Sequence, residues 1–206
     1  SILIIVPTLN SYKILPNLVK SLKKQTSDFW RLLFIDGESN DKHKNYLDSL
    51  CSKEKNISFI NQDLGNPGIY GAMNLGLNYI NPHEWILFWG SDDLAYNRVL
   101  VEDLIQTINH AQFKDLDLIF NDAIYIDKFG QNERRSSFKI INNNLRLSLF
   151  LGFTPPHQGC LFSPKVIKKM KSYSLNYYLA ADLDCFLRIA FMKNIEVKYF
   201  EKILVK

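Results

Sequence analysis

Two adjacent carboxylates, Asp92 and Asp93, follow Ser91 at the end of the apolar run Trp85-Ile86-Leu87-Phe88-Trp89. A run this short and this apolar reads as a strand covered on both faces, and ligands of sheets built from such strands gather at the strands' carboxyl ends. Adjacent residues of an extended chain point to opposite sides, so one carboxylate could face a sugar hydroxyl while the other holds a hard divalent cation. Taken alone, Asp-Asp after a strand is also a turn and a helix cap. Other polar residues stand in comparable places. Pro7, Thr8 and Asn10 follow the apolar run Ile2 to Val6, Asp36 follows Leu32 to Ile35, and Asp182 heads a segment with an apolar helical stripe.

The elements that must position these residues follow from periodicity. Ile2 to Val6 is a strand, and Leu15, Leu18, Val19 and Leu22 recur with helical spacing. Leu32 to Ile35 is a second strand, Tyr46, Leu47 and Leu50 mark a second helix, and Ile57 to Ile60 a third strand. This βαβαβ rhythm predicts a parallel sheet. A loop at Gly65 to Gly68, a helix over Ile69 to Tyr79 and the strand Trp85 to Trp89 continue it, so three strands deliver polar residues to one sheet edge.

Beyond a helix over Leu100 to Ala111, strand-like pieces at Leu118 to Asn121 and Ala123 to Ile126 precede the turn signal Asp127 to Gly130, which predicts a hairpin and a mixed sheet. Asn142 to Phe150 reads as a short amphipathic helix broken by Pro155-Pro156. Asp182 to Met192 is a helix carrying Leu183, Phe186, Leu187 and Ala190 on one stripe.

The chain of 206 residues, 47% hydrophobic, suits one α/β domain over 1–206, with a first half to residue 95 and a second half over 96–206. The charge of +4 arises from 25 basic and 21 acidic residues without a basic block, which argues against nucleic-acid binding and leaves a local attraction to an anionic membrane surface open. Cys51, Cys160 and Cys185 lack the spacing of a zinc site or disulfide framework and are expected to be reduced, packed thiols of a cytoplasmic protein. No leader pattern and no run of about 18 apolar residues is seen. The chain stops at Val205-Lys206 just after a strand-like segment, as a trimmed chain lacking a C-terminal tail would.

Four segments occur in an order and spacing that carry more than any one of them: Val6-Pro7-Thr8-Leu9-Asn10, Asp36-Gly37-Glu38-Ser39-Asn40-Asp41, Gly68-Ile69-Tyr70-Gly71-Ala72-Met73-Asn74 and Gly90-Ser91-Asp92-Asp93. With Pro156-His157-Gln158-Gly159 and Ala181-Asp182-Leu183-Asp184-Cys185-Phe186-Leu187-Arg188, the chain resembles family 2 glycosyltransferases, particularly those that build bacterial surface polysaccharides. The resemblance implies a GT-A fold: a Rossmann-like, mostly parallel central sheet with helices on both faces and a small mixed acceptor-side extension.

It also implies roles. Asp93 would hold Mn²⁺ or Mg²⁺, and Asp92 would touch mainly the donor ribose and assist the metal. Such ions keep water and phosphate oxygens in their shell, so few protein ligands are needed. Asp36 would accept a hydrogen bond from the base, Pro7, Thr8 and Asn10 would line the base pocket, and Tyr70 and Asn74, four apart on one helix face, would point into the same cleft. Asp182 would be the general base that takes the acceptor hydroxyl's proton, with inversion at the anomeric carbon. His157, Gln158 and, more weakly, Asp184 would lie near the acceptor.

Each residue has a plainer alternative. Asp36 could be a turn aspartate before Gly37, Asp182 a carboxylate favoured by a helix dipole, and His157 a packed structural histidine. Arg134, Arg135, Lys165, Lys168, Lys169 and Lys171 read as solvated faces, and Leu147, Leu149, Phe150, Leu151 and Phe153 as core with a membrane alternative. Relatives often carry an aromatic residue at Leu9, an acidic one at Gly71 and a basic one at Leu75, so a donor or acceptor contact could be lost here. The expected activity is a metal-dependent, inverting transfer from a nucleotide-sugar, UDP-sugar favoured, to a hydroxyl of a growing, lipid-linked surface glycan, at the cytoplasmic side and peripheral to the membrane. A sugar nucleotidyltransferase and a noncatalytic nucleotide-sugar-binding scaffold are the alternatives. The former usually has a Gly-rich basic loop that Pro7 to Tyr12 lacks.

Overall fold

The computed structural model describes residues 1–63, 65–127, 132–142 and 144–206. The chain runs β1 (Ile2–Thr8), α1 (Leu15–Lys23), β2 (Trp30–Asp36), α2 (Asp41–Cys51), β3 (Ile57–Asn61), α3 (Ile69–Gly76), β4 (Trp85–Phe88) and α4 (Leu100–Asn109). It continues through β5 (Leu118–Ile126), β6 (Glu133–Ser136), α5 (Leu145–Phe150), β7 (Cys160–Phe162), α6 (Pro164–Met170), α7 (Ala181–Ala190) and β8 (Val197–Val205).

The eight strands form one sheet in the order β3-β2-β1-β4-β7-β5-β6, with β8 paired to β5. β3, β2, β1 and β4 are mutually parallel, β7 is antiparallel to both β4 and β5, and β6 completes the expected hairpin with β5. The parallel half thus follows the βαβ rhythm, and the mixed half begins where β7 enters.

Strand alternation divides the core into two layers. Ile2, Ile4 and Val6 pack with Leu15, Leu18 and Leu22 of α1, Leu47 of α2 and Leu104 of α4. Leu3 and Ile5 pack on the opposite face with Ala72 and Met73 of α3, Val166 of α6 and Phe186 of α7. Helices therefore cover both faces of a strand that is apolar throughout, which is why its sequence shows a continuous run rather than an alternation.

Local signals set several helix starts. Asn40, Asn144 and Ser163 accept hydrogen bonds from the backbone N–H of His43, Leu147 and Val166, three residues into α2, α5 and α6.

The expected strand pieces at Leu118 to Asn121 and Ala123 to Ile126 are one strand, irregular in its pairing with β8 around Asp122. Asp122 is fully buried and bonded to Arg135 (2.7 Å) and Tyr199 (2.7 Å). Arg135 is therefore not a purely solvated charge. Lys165 likewise reaches buried Asp117 at 3.2 Å.

The stripe of α7 is Ala181, Cys185, Phe186 and Ile189 rather than one centred on Leu187, which is 37% exposed. The apolar group after residue 146 also divides. Leu149 is buried, whereas Phe150 is 84% exposed, because α5 ends there and only one of its faces meets the core. Residues 128–130 of the turn signal lie outside the described residues. The three cysteines are free thiols, two of them buried. Among the described residues no helix is long and apolar enough to cross a membrane.

Candidate functional site

The carboxyl ends of β1, β2 and β4 meet in a buried polar network. Ser91 Oγ donates to the carbonyl of Pro7 (3.2 Å), and Ser11 Oγ donates to Ser91 Oγ (3.1 Å). Ser11 also shares a hydrogen bond with Thr8 Oγ1, which lies 3.3 Å from His43 Nε2. His43 Nε2 in turn lies 3.4 Å from Asp36 Oδ1, and both side chains are fully buried. Burial holds the His43 imidazole below its ordinary pKa, with the Asp36 charge opposing.

Asp36 ends β2 as its position in the sequence implies, but its carboxylate turns beneath the loop. Its Oδ2 accepts the Ser39 N–H (3.1 Å). Asn10 staples the same loops together: its N–H donates to Ser39 Oγ (2.7 Å), and its Oδ1 accepts the Asn40 N–H (2.9 Å). Of the residues expected around the base, Pro7 and Thr8 line a cavity here, while Asp36 and Asn10 hold the loops that frame it.

That pocket is a cavity of about 340 Å³ between Pro7, Thr8 and Leu9, the turn at Gly37 and Glu38, Gln62 and Asp63, and the start of α3 at Gly68 and Ile69. It lies at the low end of the size range of small-ligand sites. Gln62 Nε2 donates to the carbonyls of Asn66 (2.6 Å) and Gly68 (2.8 Å), tying the loop before α3 to β3. That loop accounts for Gly71. A Cβ there would stand 1.9 Å from the Asn66 carbonyl oxygen, so the acidic residue relatives carry at this position has no room without moving the loop.

Beside the cavity, β4 ends at Phe88 and the chain turns. Asp93 N–H donates to the Gly90 carbonyl (3.3 Å), and Gly90 N–H donates to Asp93 Oδ2 (2.6 Å). The expected divergence of Asp92 and Asp93 to opposite sides does not occur, because alternation applies to extended chain and this segment is a turn. Both carboxylates instead lean over Gly90. A Cβ on that residue would meet Asp92 Oδ1 at 2.8 Å and Asp93 Oδ2 at 3.4 Å.

Burial pushes the Asp93 carboxyl up to about 7, with the Asp92 charge adding to it and the Gly90 N–H opposing. Two converging carboxylates, one disfavoured as an uncompensated anion, fit a divalent cation. Among the described residues no cluster of three or more His, Cys, Asp or Glu surrounds them, so the rest of an ion's shell would have to be oxygens of ligand and water.

Across the cleft, Asp182 sits in the first turn of α7. Its Oδ1 accepts the Leu183 N–H (2.8 Å) and the Tyr70 hydroxyl (3.4 Å). Tyr70 thus faces Asp182. Asn74, expected on the same face, is engaged elsewhere: Nδ2 donates to the Tyr173 carbonyl (3.0 Å), and Oδ1 accepts the Tyr173 N–H (2.7 Å). This two-point clamp ties α3 to the segment that leads into α7.

Arg188 adds a second clamp, donating to Asp184 (2.8 Å) and to the carbonyls of Met170 (3.1 Å) and Ser172 (2.7 Å). Asp184 is therefore paired. His157 packs among the rings of Phe88, Phe162, Tyr173 and Phe186, and its Nε2 bonds to the Tyr173 hydroxyl at 2.9 Å. Burial pushes its pKa down to about 4 against the opposing charge of Asp182.

Gln158 Oε1 accepts the Tyr125 hydroxyl (3.3 Å), while its carbonyl accepts the Trp89 indole N–H (3.0 Å). Tyr125 has no counterpart among the sequence candidates. Its phenol is raised by burial and by the charges of Asp93, Cys160 and Asp182. Glu38, Gln62, His43 and Tyr173 likewise have no counterpart among those candidates. His43, three residues beyond the Asn40 cap, was accessible to a capping argument; Tyr125 and Tyr173 offered no local signal.

The family profile described as "Glycosyl transferase family 2" matches residues 3–169. A PGL/p-HBAD biosynthesis glycosyltransferase of Mycobacterium bovis is 26% identical over 185 residues, covering 90% of this chain and 68% of the relative. Glycosyltransferase GlyG of Streptococcus pneumoniae is 25% identical over 130 residues, covering 63% of this chain and 41% of the relative. Among solved structures, Staphylococcus aureus TarS in complex with UDP superposes with a TM-score of 0.77 at 19% identity, over 100% of this chain and 59% of that one. The mannosyltransferase PcManGT of Pyrobaculum calidifontis, in complex with GDP-Man and Mn²⁺, has a TM-score of 0.67 at 11% identity, over 98% of this chain and 55% of that one. The sheet and its flanking helices are thus those of the GT-A fold. The chain spans between half and two thirds of the length of these structural neighbours.

Proposed function

We propose that this chain, which belongs to glycosyl transferase family 2, is an inverting, divalent-metal-dependent glycosyltransferase that moves a sugar from a UDP-sugar to a hydroxyl of a lipid-linked surface glycan. The observation that carries the reading is the convergence of Asp92 and Asp93 over Gly90 just after a parallel strand, with Asp182 held at the head of a distant helix by the Tyr70 hydroxyl. A strand-end carboxylate pair for the donor and a separate carboxylate for the acceptor are the parts such a transfer needs.

In this reading the nucleoside enters the cavity lined by Pro7, Thr8, Gly37 and Ile69. Asp93, with Asp92, would hold Mn²⁺ or Mg²⁺, and such an ion when bound neutralises charge on the departing diphosphate. Asp182 takes the acceptor hydroxyl's proton as that oxygen bonds to the anomeric carbon from the face opposite the diphosphate, whose bond to carbon breaks. The Tyr70 hydroxyl on Asp182 orients the base, and a bond of 3.4 Å without substrate is of the length that tightens once substrate is bound. Gln158 and Tyr125 border the acceptor side, with His157 supporting from beneath.

The complexes of TarS with UDP and UDP-GlcNAc, and of PcManGT with GDP-Man and Mn²⁺, support the donor class and the metal. The naming of the mycobacterial relatives for PGL/p-HBAD biosynthesis supports a surface glycolipid acceptor. Exposed Phe150, Leu151 and Phe153, with Lys139 over the Phe153 ring and Arg146 over the exposed Phe191 ring, favour a peripheral membrane contact.

Calorimetric titration of UDP, GDP and dTDP with and without Mn²⁺, followed by release of UDP from UDP-sugars, tests the reading. Metal-dependent binding of one nucleotide, with Asp182→Asn binding it equally but losing turnover, is the expected result. Absence of binding by all three under both conditions overturns it.

A further inference from the structure

A chain of hydroxyls runs from the wall of the cavity to the turn that carries Asp92 and Asp93, and its two ends fix which way its protons point. At one end Ser91 Oγ lies 3.2 Å from the Pro7 carbonyl, which can only accept, so Ser91 gives its single proton there. Ser91 then accepts from Ser11 (3.1 Å), and Ser11 accepts from Thr8. Having donated to Ser11, Thr8 Oγ1 offers only lone pairs to His43 Nε2 at 3.3 Å. Nε2 therefore carries the imidazole proton. The far end agrees. Nε2 lies 3.4 Å from Asp36 Oδ1, which has no hydrogen-bond partner among the described residues, and both side chains are fully buried. The opposite polarity would set a nitrogen lone pair against a buried carboxylate and two oxygen lone pairs against each other at Pro7. His43 Nδ1 is likewise buried and unpartnered among the described residues, so a second proton there would find no acceptor.

We propose that His43 is a positioning residue of the donor site: its Nε2 proton sets the polarity of the hydroxyl chain, and the chain ties the cavity wall at Thr8 to the turn of Asp92 and Asp93 at Ser91. This rests on the nucleotide-sugar reading above and adds the residue that keeps the nucleoside cavity and the carboxylate pair in register. His43 touches no reactant and acts through Thr8 and Asp36. It stands in the first turn of α2, where its N–H donates to the Asn40 side chain (3.1 Å), and the Asn40 N–H is held in turn by Asn10. The imidazole is thus fixed from its backbone before it meets the chain. An apolar side chain in its place would leave the buried Asp36 carboxylate facing no donor and free the three hydroxyls to reverse, which loosens Thr8 and Ser91 together.

Nitrogen-15 NMR of the imidazole in the unaltered protein reads the tautomer directly. A neutral ring protonated at Nε2 is expected, and a ring protonated at Nδ1 overturns the proposal. Calorimetry with Mn²⁺ and the best-bound of UDP, GDP and dTDP then compares the unaltered protein with His43→Gln, His43→Met, Ser91→Ala and the double variant of the last two, with folding checked by circular dichroism and melting. Glutamine can place an amide N–H where Nε2 stands, so His43→Gln should hold the affinity within about threefold, whereas His43→Met should lower it about 5- to 30-fold, the range of a buried polar group left unpaired. Both single changes cut one chain, so the double variant should bind within about twofold of the weaker single variant. Equal losses in folded His43→Gln and His43→Met, or losses that multiply in the double variant, overturn the proposal. Ser11→Ala cuts the same chain without altering His43, and an unchanged affinity there overturns it even if His43→Met does not fold. Failure of the unaltered protein to bind any of the three nucleotides removes the donor-site reading and the proposal with it, whereas binding that no variant alters overturns the proposal alone.

Discussion

The proposed donor side and the proposed acceptor side are built in opposite ways. The donor side gathers Thr8 and Asp36 at the ends of neighbouring parallel strands, Ser11 and Ser91 in the loops that follow such strands and His43 in the first turn of α2, and their contacts join loops that the sheet order already brings together. The acceptor side is held by side chains reaching across the molecule. Asn74 clamps Tyr173, Arg188 grips Met170 and Ser172, and Tyr70 meets Asp182. A parallel sheet collects residues for a pocket by topology alone, whereas a base facing that pocket must be aimed by specific long-range bonds. Changes on the two sides should therefore separate binding from turnover.

The largest separation is expected from Asp182→Asn. Loss of a general base should lower transfer by about 10² to 10⁴ while leaving UDP affinity within about twofold, a difference of no more than about 0.4 kcal/mol. A parallel loss of UDP binding, measured by calorimetry, would mean that the two sides are one unit.

Acid should act on the acceptor side through His157. Its folded pKa of about 4 lies below the ordinary 6.5 because burial disfavours the charged ring. The unfolded state therefore binds the extra proton first, and the stability present above pH 6.5 falls as pH drops toward 4. The span of about 2.5 pH units corresponds to about 3 kcal/mol. Denaturant unfolding from pH 7 to 4 should show this slope, and a His157→Phe variant that still folds should show a shallower one.

On the donor side, Asp93→Ala should abolish the Mn²⁺-dependent part of UDP affinity, about 10- to 100-fold on the scale of charge-assisted bonds, while the metal-free affinity stays. If Mn²⁺ strengthens UDP binding equally in the variant, the cation is held elsewhere.

The smallest effect sharpens the comparison most. Tyr70→Phe removes one neutral hydroxyl from Asp182 and should lower kcat about 3- to 10-fold, with the donor KM and UDP Kd unchanged. A rise in donor KM instead would put Tyr70 on the donor side, despite its bond to the base.

What could be read without coordinates follows the same division. The apolar runs at Ile2 to Val6, Leu32 to Ile35 and Trp85 to Trp89 announce parallel strands, and the polar residues after them announce a strand-end site. The three-residue strand β7 offers too short a pattern to detect, yet it turns the sheet from parallel to mixed. Asp182 was legible because it heads a patterned helix. Tyr125 was not, since its bond to Gln158 depends on a strand whose place in the sheet is set by β7 and β8.

The amino-acid sequence by itself determined the parallel half-sheet, the GT-A resemblance and the candidate acids, because strand and helix periodicities and capping signals are local. Only the tertiary structure decided what each side chain does. Asp36 faces inward to His43 while Glu38 faces the cavity, Asn74 clamps backbone while Tyr70 meets Asp182, and Asp92 and Asp93 converge over Gly90 instead of diverging. The physical reason is that a residue's type sets which bonds it can make, whereas its direction is set by turn geometry and by partners from distant parts of the chain.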